Sequence, residues 1–249
     1  MTQIPVKGSA TAVFSRELKA YFTSPVAYIF IVIFLGLSGF FTFYISRFFE
    51  AGQADLRGFF HWHPWLYLFL IPAVAMRLWS DERRFYTIEL ILTLPISAVK
   101  IIFAKFFAAW AFIGISLLGT LPMVFTVLYL GDPDMGAIFC GYAGSFLMAG
   151  AFLSVGIMTS AVTRNQVVSF ILSVSVCLFF LLTGFGPVTT ALSGWAPGWL
   201  IRFVMEFSFL SHFYSIERGV IDLRDIIYYL SIIGFMLHVN AWVVQTRRI

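Results

Sequence analysis

Long apolar runs, each about as long as a membrane is thick, dominate this sequence. A helix needs about 20 mostly apolar residues to cross the hydrocarbon core of a bilayer. Runs of this kind lie at about 26–46, 61–79, 101–130, 136–162, 167–186 and 226–245. Hydrophobic residues make up 60% of the 249 residues and charged residues only 11%, so no room is left for a soluble domain. The sequence therefore predicts one all-α, polytopic membrane domain, residues 1–249, with six transmembrane helices.

Two other segments are too polar or too interrupted to cross a membrane. Residues 9–24 have an amphipathic pattern, with Phe14 and Leu18 on one face and Lys19 on another. This pattern predicts an N-terminal interfacial helix. Residues 187–224 are apolar but broken by proline and glycine. We expect short re-entrant external helices there, dipping into the outer leaflet.

Basic residues are distributed unevenly between the two sides that these spans would define. With the N-terminus inside, eleven of the 16 lysines and arginines lie on the inner side. These are Lys7, Arg16, Lys19, Arg77, Arg83, Arg84, Lys100, Lys105, Arg164, Arg247 and Arg248. Because basic loops stay in the cytoplasm, the sequence predicts cytoplasmic N- and C-termini. The loop between the second and third spans is then cytoplasmic as well.

That loop carries the densest group of charges in the chain. Residues 77–105 read RLWSDERRFYTIELILTLPISAVKIIFAK. Ser80 or Asp81 is suited to cap the N-terminus of a helix, and Pro95 cannot continue one. The pattern predicts a short polar helix over 81–96, between two spans.

The amino-acid sequence of this loop resembles that of ABC-2 type permeases, most closely their gliding-motility branch. The residues on which this resemblance rests are Glu82-Arg83-Arg84, Thr87, Glu89-Leu90, Leu94-Pro95, Ser97 and Lys105. Tyr86 and Ala104 stand where glycine is common in that family. The family's loop is a coupling helix that sits in a cleft of a separate ATPase. The resemblance implies that the coupling residues here are Asp81, Glu82, Arg83, Arg84, Thr87, Glu89 and Pro95.

The same resemblance implies a permease subunit of a type V-like ABC exporter in the bacterial inner membrane. Two copies, or this chain and a related permease, would pair, and each would rest on one copy of the ATPase. ATP and Mg²⁺ would be bound by the ATPase, so this chain needs no cofactor of its own. Further expected partners are membrane lipid and an accessory protein on the outer side, but not nucleic acid.

Particular side chains can be assigned to these contacts. Glu82 and Glu89 are seven residues apart and so share a helix face, from which both could meet basic groups of the ATPase. Arg83 and Arg84 point elsewhere, and we expect them to face lipid phosphates.

The chain lacks other means of driving transport. No Asp, Glu, Lys or Arg lies in the interior of a predicted span, where ion-driven transporters bind their coupling ion. No Gly-x-x-x-x-Gly-Lys-Ser/Thr loop occurs, which excludes a P-loop ATPase. His61 and His63 have no third ligand nearby, so we expect no metal site. These absences favour a non-catalytic subunit powered by a separate ATPase.

Small residues predict where two copies pack. Gly36 and Gly39 in the first span, and Ser169 and Ser173 in the fifth, recur at intervals that let helices approach closely. We expect a dimer that forms through these two spans.

Two alternative functions stay open at this point. Gly36-Leu37-Ser38-Gly39 matches the Gly-x-Ser-Gly of rhomboid proteases. His238 in the last span could then pair with Ser38 as a catalytic dyad. The other alternative is a membrane scaffold without transport, which would not explain the charged loop.

Overall fold

The computed structural model describes residues 10–88, 96–194, 196–220 and 222–246, and all regular structure in these ranges is helical. The α-helices are α1 (Ala10–Thr23), α2 (Pro25–Phe40), α3 (Phe48–Ala51), α4 (Arg57–Phe60), α5 (His63–Ala75), α6 (Arg77–Arg84), α7 (Ala98–Leu118), α8 (Leu121–Leu130), α9 (Met135–Val162), α10 (Gln166–Leu182), α11 (Gly186–Ser193), α12 (Gly198–Met205), α13 (Phe209–Glu217) and α14 (Leu223–Thr246). A π-helix (Phe41–Ile45) continues α2. The prediction of an all-α fold is confirmed. Glu89 and Pro95, both predicted coupling residues, lie outside the described residues.

Among the described residues, four helical stretches are long and apolar enough to cross a membrane. They are Pro25–Ile45, Ala98–Leu130, Met135–Val162 and Leu223–Thr246. A fifth is formed if α10 and α11, which meet at a bend of 62°, count as one span. The predicted number of six is not confirmed. The second predicted span, 61–79, is divided between α5, which has only 13 residues, and the charged α6.

The division between α5 and α6 is stabilised by a side chain from another helix. Pro72 lies inside α5, and α6 starts after Met76 without a capping side chain of its own. The first N–H groups of any helix lack partners within it. The buried Ser160 hydroxyl of α9 supplies one, accepting from the N–H of Trp79 at 3.0 Å and of Ser80 at 3.1 Å. The same hydroxyl donates to the Met76 carbonyl at 2.9 Å. Ser160 therefore stabilises the junction between α5 and α6.

Helix α9 is the centre of the bundle. Its most apolar stretch is 78% buried, more than that of the other three spans, and it packs against α5, α6, α7, α10, α13 and α14. Gly156 makes the close approach of α5 possible, because a Cβ atom added there would lie 2.4 Å from the Cβ of Ala75. Every element of the site described below touches α9 or one of its neighbours.

The remaining helices lie around this bundle. α1, which occupies the segment predicted to be interfacial, packs against α7, with the Tyr21 and Phe112 rings stacked at 4.9 Å. Between α10 and α14 the chain forms three short helices. Of these, α13 is anchored in the core through Phe209 and Phe213, whereas α11 and α12 have no buried residues.

Candidate coupling site

The charged helix begins earlier than its sequence predicts. α6 starts at Arg77, and Ser80 lies within it, where its hydroxyl donates to the Met76 carbonyl. The prediction that Ser80 or Asp81 caps this helix is therefore wrong. The helix can start earlier because the Ser160 hydroxyl, from a distant part of the chain, accepts from N–H groups in its first turns.

The same helix also ends early. The N–H of Thr87 donates to the Glu82 carbonyl at 2.9 Å, and Tyr86 between them has a φ of +57°. This is the Schellman arrangement that ends many helices, with the left-handed residue at the position where glycine is preferred. Helix α6 thus stops at Arg84, and the described part of 81–96 is not one continuous helix. The left-handed conformation explains a preference for glycine at this position, and here Tyr86 adopts it.

A buried lysine joins α6 to two other helices. Lys105 of α7 is 2% exposed, and its Nζ lies 2.7 Å from Glu82 Oε1 of α6 and 3.3 Å from Glu17 Oε1 of α1. The ammonium group also lies 5.3 Å from the centre of the Trp79 ring. Buried charges are stable only when paired. Lys105 therefore fixes the positions of both carboxylates.

The two carboxylates of this cluster are not equivalent. Burial raises the pKa of Glu82 above its ordinary value, and the attraction of Lys105 does not fully offset that effect. Burial acts on Glu17 in the same direction. There, however, Lys105 and the Arg16 guanidinium, 2.8 Å away, outweigh it and lower the pKa. One lysine cannot neutralise two carboxylates, and Arg16 supplies the second charge on the α1 side.

A further polar contact ties α6 to α10. The side-chain amide of Gln166, the first residue of α10, donates to Asp81 Oδ1. Together with Lys105 and Ser160, this gives α6 a polar link to each of three long helices: α7, α9 and α10. Displacement of α6 would therefore strain its polar contacts with all three helices.

The end of α6 and the turn that follows form an exposed tip, defined here as Arg84, Phe85, Tyr86 and Thr87. The Phe85 side chain is 66% exposed and Tyr86 is 68% exposed. Arg84 lies over the Phe85 ring at 5.7 Å. Exposed aromatic and arginine side chains of this kind are typical of protein-binding surfaces.

The predicted coupling residues Glu82, Arg83 and Arg84 differ in how far their side chains are buried. Glu82 is turned inward to Lys105, so it is engaged within the protomer. Reversing its charge would bring two ammonium groups together at α7, and such a variant would disturb the fold. Arg83 is buried whereas Arg84 is exposed, so the expectation that both face lipid phosphates fails for Arg83.

The four residues predicted to pack a dimer separate into two pairs. A Cβ atom added to Gly36 or Gly39 would meet nothing within 4 Å, so this side of α2 is open. Ser169 and Ser173 of α10 are fully buried inside the protomer. These two serines face the bundle core and cannot line a surface for a second copy.

The protease alternative is not supported by the positions of its residues. Ser38 is buried, and its hydroxyl has no hydrogen-bond partner in the described part of the chain. His238 is exposed on α14, so the two do not form a dyad. His63, one of the two histidines for which no metal site is expected, contacts Ser145 Oγ at 2.7 Å. Tyr67 contacts the same hydroxyl at 2.6 Å. These three side chains are fully buried, where a substrate could not reach them.

A cavity of about 270 Å³ lies beside the charged cluster, between α1, α2, α5, α6 and α7. Its wall contains charged side chains, Arg77 and the Lys105 cluster, as well as apolar ones such as Phe30 and Val74. The cavity leaves one side of α6 without close packing. The space beside this part of α6 is therefore not filled by side chains.

The fold and this site define a class, a helical multi-pass membrane protein in which a short charged helix with an exposed tip is linked to several spans. The sequence model of one protein family, described as ABC-2 family transporter protein, matches residues 11–246. The chain belongs to the ABC-2 transporter family. The gliding-motility branch stays a prediction, and no curated protein matches the chain.

Proposed function

We propose that this chain is the permease subunit of a type V-like ABC exporter of the bacterial inner membrane, driven by a separate ATPase. The ATPase would hold ATP and Mg²⁺, and this chain would perform no covalent chemistry. Its N- and C-termini and the exposed tip would lie in the cytoplasm, as the distribution of basic residues predicts.

One observation carries this proposal: α6 presents an exposed tip on one side and polar links to α7, α9 and α10 on the other. The links are Glu82–Lys105, the Ser160 hydroxyl and Asp81–Gln166. A short helix held in this way would move with its neighbours as a unit. Such an element can turn movement of a bound partner into movement of spans.

The ATPase would push on the tip, and the cavity beside α6 would give the helix room to move. The change in α6 would reach α9 through Ser160 and α10 through Gln166. Rearrangement of these spans would alternate access to a path between two permeases. The substrate would then cross between protomers and not through one of them.

The second permease, either another copy of this chain or a related one, would pack on α2. The apolar stretch that contains α2 is 28% buried, less than the other three continuous spans. Gly36 and Gly39 lie on its open side, where a second helix could approach closely.

Site-directed labelling tests the orientation and the docking together. A cysteine at Thr87 should react with a membrane-impermeant maleimide in inside-out vesicles, and added ATPase should protect it. A cysteine at Asp132, in the loop before α9, should react in intact cells and stay unprotected. The native Cys140 and Cys177 are buried and should react little. Reaction at the Thr87 position in intact cells, or reaction unaffected by the ATPase, would refute the proposal.

A further inference from the structure

A small cavity lies at the end of the bundle opposite α6, where three segments meet. It has a volume of about 60 Å³ and is formed by the loop before α4, the start of α9 and the end of α13. The charged side chains in its wall are Asp55, Arg57, Asp134 and Glu217. Three carboxylates and one guanidinium thus surround a space with room for one small cationic group or a few water molecules.

Glu217 differs from the other two carboxylates because it has no hydrogen-bond or ion-pair partner among the described residues. Asp134 accepts from the N–H of Gly136 at 2.8 Å and so caps α9, and Asp55 accepts from the N–H of Arg57 at 3.3 Å. Glu217 is only 9% exposed, yet it lines the cavity. A largely buried carboxylate is costly without a partner, and this one borders a cavity that water or a cation could occupy.

The neighbouring cations do not fill that role. Arg57 is directed to Asp55, with 4.0 Å between Nε and Oδ2, and its side chain is 69% exposed. Arg218 turns away, since its Nε donates to the Tyr214 carbonyl at 3.2 Å. Burial raises the pKa of Glu217 to about 7; the charges of Arg57 and, to a smaller extent, Arg218 act against this rise, and Asp55 adds to it. A bound cation would favour the ionised form of Glu217.

We propose that this cavity binds a primary ammonium group, with Glu217 as the counter-ion and Asp55 and Asp134 elsewhere in the cavity wall. An ammonium group is compact and has three donors, which suits a small space lined by carboxylate oxygens. A metal ion fits less well, because the described residues include no group of three or more His, Cys, Asp or Glu side chains placed to hold one.

The source of the ammonium group follows from the orientation, so this step rests on the proposed function. In that orientation the cavity opens on the outer side of the membrane. The ligand would be a lysine side chain of an extracytoplasmic polypeptide or a small free amine in that compartment. Both present the same chemistry to Glu217, and the experiment below separates them.

The test uses the purified full-length chain in detergent without the ATPase, so its outcome is independent of coupling. We expect saturating methylammonium chloride at pH 8 to raise the unfolding midpoint by about 2–4 °C above that in equimolar NaCl. The shift should disappear at pH 5.5, where Glu217 is protonated, and in Glu217→Gln. It should persist in Glu50→Gln, since Glu50 is 70% exposed and lies outside the cavity.

Three results would overturn the proposal: an equal shift with NaCl, an equal shift with the bulkier tetramethylammonium, or a methylammonium shift that survives in Glu217→Gln. Nα-acetyl-lysine amide then distinguishes the sources. If Nα-acetyl-lysine amide shifts the midpoint as much as methylammonium does, the cavity is assigned to a lysine side chain. If methylammonium shifts the midpoint and Nα-acetyl-lysine amide does not, the cavity is assigned to small free amines.

Discussion

At the scale of single residues, the buried Lys105 is the group on which the charged end of the bundle depends. It lies within 3.3 Å of carboxylates from two other helices, and one of these, Glu17, is 88 positions away in the sequence. Removing one member of a buried ion cluster usually costs more than the cluster contributes, because the other charges lose their partner. The contact explains why a lysine is kept inside an apolar helix.

We expect Lys105→Met to destabilise the protein by about 3–5 kcal/mol, since it leaves Glu82 buried without a cation and Glu17 paired only with Arg16. Lys100→Met is the matched control, because Lys100 is an exposed lysine on the same helix. The unfolding midpoint in detergent measures both. Adding Glu82→Gln to Lys105→Met should recover part of the loss. Equal midpoints for the two single variants would contradict the role of this cluster.

Glu217 should make stability depend on pH in the opposite sense to an ordinary ion pair. Because folding raises its pKa from 4.5 to about 7, the stability that the protonated group contributes is complete below pH 4.5 and is lost as the pH rises through 7. The difference corresponds to roughly 3 kcal/mol. Without added amine, Glu217→Gln should therefore unfold at a higher temperature than wild type at pH 8 and at the same temperature near pH 4. A variant less stable than wild type at pH 8 would contradict this assignment.

At the scale of elements, the sequence allowed some features to be predicted and not others. The apolar runs near α2, α9 and α14 match helices, because burial in lipid depends mainly on composition and length. The break between α5 and α6 could not be predicted, because the side chain that satisfies it, Ser160, lies 81 positions from Trp79. The early end of α6 could not be predicted either, because a tyrosine such as Tyr86 does not indicate the positive φ that ends the helix there.

Ser160→Ala should weaken the attachment of α6 to α9. It removes the acceptor for two buried N–H groups and one donor, for an expected cost of about 2–4 kcal/mol. Ser154→Ala is the control, because Ser154 is equally buried on α9 but bonds only to the Ala151 carbonyl of its own helix. Amide hydrogen exchange across α6 should accelerate in the first variant alone. Unchanged exchange in Ser160→Ala would show that this hydroxyl does not hold the break.

At the scale of the whole molecule, the open side of α2 is where a second permease would pack. Gly39→Leu should fill that side and shift the complex from dimer to monomer, because helices that meet at glycine cannot approach around leucine. Gly234→Leu on α14 is the control, since Gly234 is equally unobstructed but lies on another face. Mass photometry or light scattering in detergent measures the change. A monomeric wild type, or equal dimerisation of all three proteins, would contradict this pairing.

The central claim is that the exposed tip after α6 binds a separate ATPase, and one pull-down tests it most directly. Phe85 and Phe49 are matched, because their side chains are 66% and 64% exposed, but Phe85 lies on the tip and Phe49 belongs to α3 in the loop after α2. Loss of a central aromatic contact typically costs 1–3 kcal/mol, or about 5- to 150-fold in affinity. We predict that Phe85→Asp loses most of the co-expressed ATPase whereas Phe49→Asp retains it at the wild-type level. If both variants retain the ATPase equally, the tip is not its docking surface.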